Sequence, residues 1–195
     1  MSRTLRYCLF DPDVDPSQKR HVSDEKDYAV VIFPPNDVIE SIKDIRFRLD
    51  PDSQLIVPHI VVTFPFRTHL EPGEIAHVLR EEVDAVGGGF RITMTYIADF
   101  YPSYPIIYWQ LRQNDDLHEF CLRVHVRLDL PLPLKGFFPH LPLAREISPN
   151  RVMFVKEDLM GLVSEMQFTA EAVELISPRL DGTWAPTRTI TLTKD

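Results

Sequence analysis

The sequence predicts an α+β protein, with two pseudo-symmetric lobes of antiparallel sheet, helices packed outside and a central groove between the lobes. Three observations carry that prediction. Segments of strand character outnumber those with a helical period. Several neighbouring strands are joined by turns too short for a parallel crossover. And one local pattern occurs twice, Pro58-His59-Ile60-Val61 and Pro139-His140-Leu141-Pro142, with the two histidines 81 residues apart. A proline is tolerated at the first residue of a strand, so each copy reads as a strand start.

The elements follow in order. Residues 1–27 read as an N-terminal arm. Asp11-Pro12-Asp13-Val14-Asp15-Pro16 breaks any pattern, and its prolines, with no Gly or bidentate Glu after them, argue against a calcium loop. The domain proper is placed at 28–195. Tyr28 to Phe33 is a continuous apolar run and predicts a buried strand. Asp37 opens a helix on which Val38, Ile42, Ile45 and Leu49 form one face. Leu55 to Phe66 is the first histidine strand. Glu71-Pro72-Gly73-Glu74 starts a second helix with Ile75, Val78, Leu79, Val83 and Val86 as its stripe. Gly87-Gly88-Gly89 ends it; with no Lys-Ser or Lys-Thr following, this is a helix-to-strand turn and not a phosphate loop. Phe90 to Phe100 and Ile106 to Leu111 predict two strands around a Tyr-Pro turn. Asn114-Asp115-Asp116 opens a third helix, with Leu117, Phe120, Cys121, Val124 and Leu128 inward. On it His118 and His125 are seven apart, a poor metal spacing, and are expected at the surface. Phe137 to Ile147 is the second histidine strand, and Val152, Val155, Leu159 and Leu162 mark a fourth helix. The chain closes with a hairpin, Met166 to Ile176 and Trp184 to Leu192, turning at Asp181-Gly182.

Composition bounds the function. The chain has 195 residues, 44% of them hydrophobic and 26% charged, as expected of a single globular domain able to bury a core. No apolar run approaches the roughly 20 residues that span a bilayer. Nothing after Met1-Ser2-Arg3 resembles a signal peptide. Cys8 and Cys121 are distant and not in metal-ligand spacing, which fits reduced thiols and a cytoplasmic protein. A net charge of −8 disfavours duplex nucleic acid but leaves room for a local basic pocket, hence for a small nucleotide or an RNA end. The expected state is a monomer without membrane association.

His59 and His140 carry the chemistry. A histidine titrates near neutrality and can give or take a proton. Two of them in two copies of one pattern suggest an acid on one side of a site and a base on the other. The plainer alternative is a polar residue at the wet end of each strand. No credible cluster of metal ligands accompanies them, so no metal and no cofactor is expected.

On these residues the chain resembles the two-histidine phosphoesterase superfamily, which includes 2′-5′ RNA ligase-like and cyclic phosphodiesterase proteins. The resemblance covers residues 28 to 195. It rests on two His-x-Thr/Ser-x motifs about 80 residues apart, here His59-Ile60-Val61-Val62 and His140-Leu141-Pro142-Leu143. The flanks agree: Pro58, Phe64-Pro65-Phe66, Phe138-Pro139 and Ala144-Arg145. So does the terminal hairpin with Trp184. The resemblance implies a metal-independent phosphoesterase for 2′,3′-cyclic phosphate nucleotides or RNA ends, with His59 and His140 as the acid/base pair. It also implies that Arg145 can reach the phosphate; the alternative is an exposed strand-end Arg or a structural salt bridge. One departure is plain. Val61 and Pro142 stand where the family has hydroxyls that hold the phosphate, and neither side chain can donate a hydrogen bond. Thr63 lies on the same face as His59 but roughly 13 Å away along an extended strand. Two functions therefore stay open: a phosphoesterase with a degenerate phosphate cradle, or a non-catalytic module binding a nucleotide or phosphorylated ligand.

Overall fold

In a computed structural model, the structure describes residues 25–132 and 139–192. The expected arm 1–27 lies outside these residues except for its last three. Lys26 and Asp27 belong to the first strand.

The elements run β1 (Lys26–Ile32), α1 (Asn36–Leu49), β2 (Ile60–Val61), β3 (Phe66–Thr68), α2 (Pro72–Ala85), β4 (Arg91–Asp99), β5 (Ile107–Leu111), α3 (Asp115–Arg127), β6 (His140–Ala144), α4 (Val152–Met160), β7 (Met166–Thr169), β8 (Ala172–Pro178) and β9 (Trp184–Thr191). They form two antiparallel sheets. The first has the order β2-β1-β8-β9, with β3 sharing the β2 edge of β1; the second has the order β6-β5-β4-β7. Each histidine motif therefore lies at an edge strand, one per sheet. β2 packs against β6, so the two edges meet.

The helices start where their chemistry allows. Glu71 and Glu74 form a reciprocal capping box ahead of α2. The Asn114 side chain accepts the Leu117 N–H at the start of α3. The apolar stripes fall largely as predicted, burying Val38, Ile42 and Ile45 of α1, Ile75, Leu79 and Val83 of α2, Leu117, Phe120, Cys121 and Val124 of α3, and Val152, Val155 and Leu159 of α4. They share one core with Val30, Ile32, Ile60, Met94, Trp109, Leu141 and Leu143 from the sheets. A smaller cluster, Ala29, Val31, Ile56 and Ile176 with Phe33 and Trp184 against it, covers the other face of β1.

Four expectations change. The first histidine strand is not continuous from Leu55 to Phe66. It breaks into β2 and β3, because Val62 and Thr63 both direct their N–H groups to the Val30 carbonyl, at 3.0 Å each. Two residues opposite one is a bulge, and it ends the simple alternation of side chains. The first arm of the terminal hairpin is likewise two strands. β7 pairs with β4 in the second sheet, whereas β8 pairs with β1 and β9 in the first. The step between them is pinned where Ala170 N–H donates to the Phe90 carbonyl. Finally, His125 is buried, not at the surface; its Nδ1 donates to the Cys121 carbonyl one helical turn back. Loss of water lowers its pKa. Leu162 lies past the end of α4 and is exposed.

The candidate two-histidine site

His59 immediately precedes β2, at the end of a tightly tied loop. The Ser53 N–H donates to the Asp50 carbonyl, the Leu55 and Ile56 N–H groups donate to the Asp52 carbonyl, and the Trp184 N–H donates to the Leu55 carbonyl. The His59 Nδ1 donates to the Val57 carbonyl at 2.9 Å. This bond fixes the tautomer of the neutral ring and leaves the proton-accepting lone pair on Nε2.

A buried charge cluster stands behind this loop. Arg46, 2% exposed, places its Nε and Nη2 on one oxygen of Asp50, at 3.1 and 2.6 Å, and its Nη1 on the Ile56 carbonyl at 3.0 Å. Arg145, just past β6, donates from Nε to the other Asp50 oxygen at 2.8 Å. Its Nη2 lies 2.8 Å from the same oxygen and 2.9 Å from Asp52. The Asp50 side chain is itself fully buried and also accepts the Asp52 N–H. Buried charges persist only when paired and hydrogen-bonded, and this set meets that condition. Loss of water around the ring, then the Arg46 guanidinium, push His59 down to about 3; Arg145 acts in the same direction, while the Val57 carbonyl and Asp50 oppose.

His140 opens β6 and is 3% exposed. It lies opposite Gln110 in the ladder with β5. Its ring meets Phe100 edge-on, with centroids 4.9 Å apart, and Tyr108 at 5.1 Å; these two aromatic rings stack on each other at 4.2 Å. One histidine is thus set among charges and the other among aromatic rings.

Neither motif position carries a hydroxyl. Val61 is 4% exposed and belongs to the core. Pro142 lies opposite Tyr108 on the edge strand of its sheet, where a missing N–H is tolerated. The Thr63 hydroxyl accepts the Val30 N–H at 2.9 Å, a backbone role. Arg145 carries ion pairs with Asp50 and Asp52. Sequence reasoning missed Arg46, Asp50 and Asp52. One signal was available: Arg46 falls on the apolar stripe of α1, four residues after Ile42, with an acid four residues further on.

Among the described residues no group of three or more His, Cys, Asp or Glu is placed to hold a metal ion, and no helix is long and apolar enough to cross a membrane.

Comparison with known proteins agrees with this architecture. A protein from Geobacillus kaustophilus named "Putative phosphoesterase GK0864" is 28% identical over 158 residues, covering 80% of this chain and 91% of that protein. A protein of Bacillus pumilus named "Putative phosphoesterase" is 25% identical over 166 residues, covering 85% and 96%. Among solved structures, Escherichia coli LigT complexed with 3′-AMP superposes with a TM-score of 0.63 at 14% identity, over 87% of this chain and 99% of LigT. LigT complexed with ATP gives 0.61 at 16% identity, over 88% and 100%. These structural likenesses speak to the fold. The family model described as the 2′-5′ RNA ligase superfamily matches residues 34–182, and the chain belongs to that superfamily.

Proposed function

We propose that this protein is a metal-independent phosphoesterase acting on 2′,3′-cyclic phosphate nucleotides or RNA ends, with His59 and His140 as its acid/base pair. The observation that carries the reading is the meeting of β2 and β6, which brings together the two edge strands at which the histidines lie. In the reaction a neutral histidine takes a proton from water, and the water oxygen attacks phosphorus. The bond from phosphorus to one ribose oxygen breaks, and the protonated histidine delivers a proton to that oxygen. The ring opens to a phosphomonoester, and no cofactor takes part. Arg145 is held next to this site by Asp50 and Asp52 and contributes positive charge there. The ligand is a small nucleotide or RNA end, not duplex nucleic acid, bound by a cytoplasmic monomer.

A second reading has its own observation. Val61 and Pro142 put carbon at both hydroxyl positions, and Thr63 is committed to Val30. Losing one donor to a developing oxyanion typically costs about 10²–10³ in rate. On that reading the site binds a nucleotide or phosphorylated ligand without turning it over. The test is a turnover assay across the four 2′,3′-cyclic nucleotides and a cyclic-phosphate-ended RNA, with and without chelator, in wild type, His59→Ala and His140→Ala. Product that forms in chelator and vanishes in both variants supports the enzyme. Affinity without product supports the binder. Activity that persists in either variant overturns the acid/base pair.

A further inference from the structure

The ladder between β5 and β6 sets an unused hydroxyl beside the second histidine motif. Tyr108 is the Cα partner of Pro142, and Gln110 is the partner of His140. Facing residues of a ladder put their side chains on the same side of the sheet. Trp109, Leu141 and Leu143 turn into the main core, so Tyr108, His140 and Pro142 share the opposite side. The Tyr108 ring leans along its strand toward the histidine, with ring centroids 5.1 Å apart and planes inclined by 62°. Phe100 stacks on that phenol ring at 4.2 Å and 26°, and meets the imidazole edge-on at 4.9 Å. Three rings in mutual contact fix one another's orientation. Tyr108 is 7% exposed, yet its hydroxyl has no hydrogen-bond partner among the described residues. A buried tyrosine ordinarily finds one.

We propose that Tyr108 is a phosphate-binding residue: its hydroxyl donates to a non-bridging oxygen of the ligand phosphate on the His140 side of the site, in place of the hydroxyl that Pro142 lacks. This inference rests on the two-histidine reading above and adds to it a residue that lies outside both motifs. A motif hydroxyl would stand two residues beyond His140 on the same face, where Pro142 stands. The nearest other place from which a side chain serves that spot is the residue directly opposite, about 4.5–5.5 Å away between Cβ atoms. That residue is Tyr108. A phenol is long and rigid, so it carries its oxygen past Pro142 at little cost in side-chain freedom, and the Phe100 stack holds it there. It is also a lasting donor. Burial, then the neighbouring Tyr96 and Asp99, push its pKa above the ordinary value, so the hydroxyl keeps its proton through the neutral range. Gln110, on the same face of β5, is already committed, since its Nε2 donates to the Leu111 carbonyl.

The test is Tyr108→Phe in the full chain, which removes one oxygen and keeps the stacked ring. Since that hydroxyl bonds to nothing in the fold, Tm should stay at the wild-type value. Calorimetry then compares a nucleoside 2′-monophosphate with the free nucleoside. The variant should bind the monophosphate at least about tenfold more weakly, the loss of a hydrogen bond to a charged group, and bind the nucleoside as wild type does. If wild type turns over a 2′,3′-cyclic nucleotide, the variant should lose about 10²–10³ in kcat/KM. Equal weakening toward nucleotide and nucleoside would make Tyr108 a base contact and overturn the inference. So would a folded variant with wild-type affinity for the monophosphate, or a wild type that binds the monophosphate no better than the nucleoside. Wild type gives a second readout by NMR with tyrosine labelled at Cζ. The Tyr108 signal should move when the monophosphate is added and hold still for the nucleoside; a signal that ignores the monophosphate overturns the inference even if the variant does not fold. The inference and the proposed reaction fail separately. Turnover lost in His59→Ala and His140→Ala but kept in Tyr108→Phe removes the inference alone, whereas a protein that hydrolyses no cyclic phosphate removes the reaction and leaves the binding arm to decide.

Discussion

Thr63→Val separates a backbone role from a phosphate role for the nearest threonine to the first histidine motif. In the ladder, β1 pairs with β2 at Val31 and Ile32 and with β3 at Lys26 to Tyr28. Val30 falls in the gap. Its carbonyl accepts the Val62 and Thr63 N–H groups, and its own N–H finds the Thr63 hydroxyl at 2.9 Å. Val30 is 0% exposed and Thr63 1% exposed, so water cannot take over that bond. Valine keeps the shape of threonine and removes the acceptor. Leaving a buried N–H unsatisfied costs about 1–3 kcal/mol. For a chain of this length each 1 kcal/mol lowers Tm by about 2–4 °C, so a central loss of ~2 kcal/mol gives a drop of roughly 4–8 °C. The assay is thermal unfolding followed by circular dichroism, paired with hydrogen exchange at the Val30 amide, which should lose protection. Thr63→Ser keeps the acceptor and should retain protection at Val30, losing only about 1 kcal/mol for the missing methyl. A valine variant with wild-type Tm and wild-type Val30 protection would refute the reasoning. Lost turnover in a variant of unchanged stability would instead hand the hydroxyl to the phosphate.

Other outcomes follow from the same geometry. Val61→Thr with Pro142→Thr should gain turnover of a 2′,3′-cyclic nucleotide well beyond either single variant, because both hydroxyls would grip one phosphate and couple; steady-state kinetics on folded protein checks this, and no gain over wild type would show that grip is not the missing part. Val61→Thr alone should cost about 1–3 kcal/mol in denaturant unfolding, since its hydroxyl enters a buried site. His59 has a folded pKa below its unfolded one, so its contribution to stability is complete above about pH 6.5 and is lost as pH falls toward about 3, at up to about 1.4 kcal/mol per pH unit; His125 acts in the same direction. Denaturant midpoints measured between pH 7 and pH 4 should fall more steeply in wild type than in His59→Gln, and parallel curves would contradict the sign. Glu82 is buried on α2 and bonded to Arg123 and Arg127 of α3. Glu82→Gln should destabilise the pair of helices by roughly 1–3 kcal/mol, read as a lower Tm without loss of catalysis.

The sequence by itself determined a good deal. Periodicity placed the four helices and most strands, because a stripe such as Val38, Ile42 and Ile45 can be buried only as a helix face. The repeated Pro-His pattern found His59 and His140, and the terminal strands were visible from Trp184 and the Asp181-Gly182 turn. Three features needed the tertiary structure. Thr63 took a backbone role because of a bulge against Val30, and no local signal marks which residue of a neighbouring strand will lack a partner. The run after Met166 divided between two sheets, since its alternation suits either sheet equally and only the position of β4 and β1 decides. Asp50 joined Arg46, four residues away, to Arg145, 95 residues away. That partnership is invisible in order of sequence, because it exists only where the end of α1 and the end of β6 exclude water from the same place.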